Sequence, residues 1–150
     1  MLTLSRRTVM RLGLLAAASP LAPSAPSFAA ESAPLAIKGY DPVAYFTIGK
    51  PMRGLPEFEY EWDEHRYRFA RAEHLELFKT DPVHYAPQFA GFCAVALTRG
   101  EVDEGNPEYW LVSDGKLYLF GKPIGPALFQ QDLAGNLVKA DQNRPLIVNR

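Results

Sequence analysis

One thiol, three imidazoles and a set of carboxylates are the groups in this 150-residue sequence with the means to do chemistry. Cys93 is the sole cysteine, and His65, His74 and His84 are the three histidines. A thiolate beside an imidazole is a soft donor pair suited to copper or zinc. With the imidazole as base, the same pair is an activated sulfur nucleophile. Cys93 and His74 are the candidates for either role, with Asp41 and His84 as further donors. Each residue also has a quieter reading. Unpaired cysteine is among the most buried residue types, and the His74 ring can simply bond a backbone carbonyl. Asp41 stands before Pro42 as a helix cap, and His65 and His84 fall at turns. No third group is evident to orient the imidazole, and no glycine-rich phosphate loop, serine elbow or paired acid/base carboxylates stand out. A binding module for a metal ion or small ligand therefore ranks above a thiol-dependent enzyme. A structural or protein-interaction domain without a site is the third class.

The elements that must position these groups follow from pattern. Asp41-Pro42 opens one or two helical turns to Thr47, closed by Gly49. Phe58, Tyr60 and Trp62 alternate with Glu59 and Glu61, which is a half-buried strand. Asp63-Glu64 turns the chain, and His65 to Phe69 returns with Tyr67 and Phe69 inward, so that Arg66 and Arg68 can face the glutamates. Residues 71–79 read as a helix with His74 and Phe78 on one face. Asp81-Pro82 starts a second capped turn carrying His84 and Tyr85. Phe89 to Leu97 reads as a buried strand, and Asp114-Gly115 as a type I′ hairpin turn between 110–113 and 116–120. A helix over 127–136 is expected to break or end at Gly135, with 137–141 continuing it. No internal repeat is expected. The sum is an α+β fold: a small antiparallel sheet of hairpins with short helices packed to one side.

Residues 1–30 have the order of an export leader. Arg6 and Arg7 precede a short Ala/Leu run, and Ser27-Phe28-Ala29 presents small residues for cleavage after Ala29 or Ala30. The apolar run is too short and interrupted for a permanent anchor, which needs about 20 residues. A twin-arginine route to the periplasm is expected, with a general secretory leader as the alternative. Residues 31–35 then form a linker, 36–141 the domain and 142–150 a tail. The chain holds 16 basic and 17 acidic residues, and the leader holds three of the bases and no acid, so its removal moves the net charge from −1 to −4. That balance argues against nucleic acid and anionic lipid as partners. With Cys93 alone, no internal disulfide can form.

Four blocks in order resemble the YHS domain family, in its exported single-domain branch: Gly39 to Phe46, Tyr67 to His74, Asp81 to Pro87, and Gly91 to Ala94. The resemblance implies a hairpin-plus-helix module related to treble-clef-like metal modules, found with copper transport and linked to heavy-metal binding. In metal-binding members two cysteines would align with Ala70 and His74. The first donor is absent here, and the second is an imidazole. By that resemblance copper or zinc at His74 and Cys93, with Asp41 or His84 in support, is the implied site.

Overall fold

A computed structural model describes residues 32–148; the leader with Arg6, Arg7, Ala29 and Ala30 lies outside them. The chain enters through a left-handed turn at Ala36–Gly39 and continues into helix α1, Ala44–Thr47. The first hairpin follows, with β1 at Leu55–Trp62 and β2 at His65–Phe69. Helices α2 (Ala72–Thr80) and α3 (Pro82–Tyr85) follow it. A second left-handed turn, Gln88–Gly91, leads to α4 (Ala94–Thr98) and to the second hairpin, β3 (Asn106–Ser113) and β4 (Lys116–Phe120). Helices α5 (Gly125–Gln131) and α6 (Leu133–Gln142) and a 3₁₀ turn at Arg144–Leu146 complete the order. The fold is α+β, as the patterning predicts, and its strands form two separate antiparallel hairpins.

Against expectation, one motif occurs twice. Tyr40 bridges Arg53 as Phe92 bridges Glu104, and Leu35 runs parallel to Arg66 as Pro87 runs parallel to Leu117. The Asp41 N–H donates to the Met52 carbonyl, and the Cys93 N–H to that of Asp103, both at 2.8 Å. Both hairpins shift register at the same place, between Leu55 and Glu59 and between Asn106 and Trp110. Asp81 and Asp132 then break the two helical segments with nearly the same backbone angles, φ −148°, ψ 74° and φ −144°, ψ 68°. In this correspondence Cys93 stands where Asp41 stands, Gly125 where His74 stands, and Phe129 where Phe78 stands.

The left-handed turns are a second feature that hydropathy patterning does not reveal. Ile37, Lys38 and Gly39 all have positive φ (39°, 54° and 80°), as do Phe89, Ala90 and Gly91 (55°, 52° and 81°). For L-residues this conformation costs roughly 1–2 kcal/mol each. The two turns pack together: a methyl group built on Gly91 would lie 3.0 Å from Ile37 Cγ2. A side chain at Gly105 would collide with the Gly91 carbonyl, so this close approach needs glycine.

Three expectations are corrected. Phe89 to Leu97 is a turn and a helix rather than a strand. Its run is apolar at every position, and periodicity cannot separate such a strand from a helix. The break expected at Gly135 falls at Asp132, whose carboxylate accepts the Gly135 N–H at 3.1 Å and leaves no room for a β-carbon there. Residues 142–148 of the expected tail belong to the fold, because Ile147 is buried in the core around Phe120 and Phe129.

Candidate functional site

The chemistry-bearing groups that the fold unites are Asp41, His74 and Thr47. Asp41 is fully buried between the first left-handed turn and α1. Its Oδ1 accepts the N–H groups of Val43 (2.9 Å) and Ala44 (3.3 Å), so it caps α1 as the Asp-Pro pair predicts. Its Oδ2 accepts the Ala70 N–H at 2.8 Å and the His74 Nδ1–H at 2.5 Å. These four bonds use the acceptor capacity of a carboxylate, which offers about four lone-pair directions. Asp41 therefore has nothing left for a metal ion. Ala70, which the YHS resemblance aligns with a cysteine ligand, contributes its backbone N–H instead.

His74 reaches this position because α2 starts directly after β2 and lays His74 and Phe78 on its inner face, where both are buried. Its Nε2 lies 3.1 Å from the Thr47 hydroxyl, which is also 3.1 Å from the Val43 carbonyl. That carbonyl already receives the N–H groups of Phe46 and Thr47. The hydroxyl is therefore free either to donate to Nε2 or to turn and accept from it. Asp41, His74 and Thr47 make a relay from a buried carboxylate to an exposed residue. Thr47 is 27 residues from His74 in sequence, and no spacing rule links them.

Cys93 does not join this group. It is buried in the second half of the molecule, in a core cluster with Phe120 and Phe129, and its Sγ lies beside Gly121. Helix α2, which carries His74, packs on β1, β2 and α3, whereas α4, which Cys93 precedes, packs on α5, α6 and β4. The expected Cys93/His74 pair is not formed, because the two residues serve different copies of the repeated motif. His84 is exposed and packs against Phe46 and Tyr85, with ring centroids 4.9 and 4.6 Å away. Among the described residues, no group of three or more His, Cys, Asp or Glu side chains could hold a metal ion.

A groove of about 500 Å³ opens beside the turn of the first hairpin. One wall is the hairpin turn, with Trp62, Asp63, Glu64 and His65; the others are the second left-handed turn with Phe89, and the C-terminal segment with Arg144. The Arg144 guanidinium lies 4.8 Å from the Phe89 ring centroid and is paired with Asp141 at 2.7 Å. Asp63 and Glu64 make no ion pair among the described residues. Of the thiol, imidazole and carboxylate groups considered for a site from sequence, only His65 lines this groove; its Nδ1 lies 2.8 Å from the Asp63 carbonyl.

Titration shifts fall mainly on buried phenols. Burial pushes the Tyr45 and Tyr67 hydroxyls well above the usual phenol range, and Tyr118 upward as well. Tyr40 is raised chiefly by its hydrogen bond to Glu108. Glu59 is lowered, first by its hydrogen bond from Arg68, which with Arg66 forms the predicted cross-strand pairing.

Comparison of the chain with protein-family models, with curated proteins and with solved structures finds no match. No described helix is long and apolar enough to cross a membrane.

Proposed function

We propose that the chain is an exported binding module of the YHS kind that takes a small organic ligand in the groove beside the first hairpin turn. The observation that carries this reading is the contrast between two places. At Asp41 and His74 every polar atom already has a partner, while the groove leaves aromatic, amide and charged side chains open around about 500 Å³. That volume falls in the range of small-molecule sites, roughly 300–1,000 Å³. The Asp41–His74–Thr47 relay fits a clamp that holds α1 against β2 and α2. Export rests on the leader pattern in residues 1–30, and YHS kinship on the four sequence blocks together with the hairpin–helix unit that they span.

Copper or zinc is the rival ligand, and the donor set does not assemble for either. Asp41 is saturated, Cys93 is in the other half, and the His74 Nε2 faces a hydroxyl. An NMR titration of the ¹⁵N-labelled protein with 2-phenylethanol tests the groove. Shifts clustering at 62–65, 83–90 and 144–148 support it; scattered shifts, or no shifts with this alcohol and with 2-phenylethylammonium and phenylacetate, overturn it. In parallel, Cu(I) and Zn(II) are titrated against a competing chelator. Stoichiometric binding that is lost in His74→Gln or in Cys93→Ala would restore the metal reading.

A further inference from the structure

Resting on the groove reading, we infer that the preferred ligand is a small organic cation, an amine or quaternary ammonium carrying an apolar body. The charges around the groove are unequal. Arg144, the one lysine or arginine in its lining, is already neutralised by Asp141 and lies over Phe89. The Asp63 and Glu64 carboxylates, held at the groove edge by consecutive positive φ angles of 49° and 62°, have no cation of their own among the described residues. Next to them Trp62 is half-buried, its ring 6.2 Å from that of Tyr67. An indole beside unpaired carboxylates is the combination that favours a cation, since the negative face of the ring attracts positive charge and the carboxylates add to it. A neutral apolar ligand would leave the carboxylates unused, and an anionic one would be repelled by them.

The test extends the NMR titration to three probes of similar size at pH 8. They are 2-phenylethylammonium, 2-phenylethanol and phenylacetate. The expected order places the ammonium about tenfold or more tighter than the alcohol, equivalent to about 1.4 kcal/mol, with phenylacetate weakest. The double variant Asp63→Asn, Glu64→Gln should bring the ammonium and the alcohol to equal affinity; both substitutions are at exposed turn positions, and Asn tolerates positive φ. Equal affinities for the three probes in the unaltered protein, or a preference for phenylacetate, would overturn the cation inference and leave the groove reading standing. A preference for the ammonium that persists in the double variant would also overturn it. Failure of all three probes to bind would remove both.

Discussion

At the scale of single residues, Asp41 is the position on which most depends. It is a fully buried carboxylate satisfied by three backbone N–H groups and one imidazole. Removing it strands all four donors, three of them in buried surroundings. Asp41→Ala is expected to lower stability by about 3–5 kcal/mol. His74→Gln leaves the backbone donors paired and should cost less, about 1–3 kcal/mol. Urea denaturation checks both through the midpoint, provided that the slope is unchanged; a loss below 1 kcal/mol for Asp41→Ala would contradict the clamp. The cap was readable from sequence because Asp followed by Pro is a local signal. The ring of His74 on the same carboxylate was not, since the two lie 33 residues apart and meet only once the hairpin has folded back. Cys93 shows the converse. Its side chain is compatible with chemistry in the abstract, and burial among aromatic and aliphatic neighbours withdraws it. A thiol reagent should therefore modify Cys93 slowly in the native protein and rapidly in denaturant, and equal rates would contradict its burial.

At the scale of elements, the two left-handed turns set the geometry. Each turns the chain at the same point of its copy, just before the residue that bridges to Arg53 or Glu104 and the helix that follows. Ala90 is exposed with φ 52°, so Ala90→Gly removes a steric penalty while losing little contact. The gain should exceed the entropy lost by introducing glycine, leaving a net stabilisation of about 0.5–1 kcal/mol and a rise in melting temperature of a few degrees. The opposite is expected at Gly105, where any β-carbon strikes the Gly91 carbonyl. Gly105→Ala should cost about 2 kcal/mol or more, while Gly49→Ala, with φ +73° but open space around it, should cost about 1 kcal/mol. Similar losses at both glycines would argue against the close approach of Gly105 to the second left-handed turn. Alternation and turn chemistry made the hairpins legible, because both are short-range. The run from Phe89 to Leu97 misled because an element that is apolar all round carries no period.

For the whole molecule, burial of tyrosines couples folding to pH. Tyr45, Tyr67 and Tyr118 hold their protons more tightly when folded than the usual phenol value of about 10. Above that pH the unfolded chain releases protons that the folded chain retains, so stability is lost as pH rises past about 10. Glu59 acts at the other end: its lowered value adds stability above the ordinary carboxylate range, which is lost as pH falls through the folded value. Equilibrium urea unfolding between pH 8 and 11 should show the alkaline decline, and Tyr67→Phe should flatten it; a profile that stays level to pH 11 would contradict the burial of these phenols.

By itself the sequence determined the α+β class, both hairpins, the capped helix starts and the facing of Arg66 and Arg68 toward the glutamates of β1. Each follows from residues within a few positions of one another, or directly across a tight turn. Only the tertiary structure decided which donors meet. It joined Asp41 to His74 and Thr47, separated Cys93 from both, and opened the groove between elements distant in the chain. Repetition of the motif also became apparent there, because backbone bridges and hydrogen bonds preserve it while the side chains at its chemical positions have diverged, Asp41 to Cys93 and His74 to Gly125. A side chain's partners are fixed by the packing of distant segments, and that information is spread over the whole chain rather than written beside the residue.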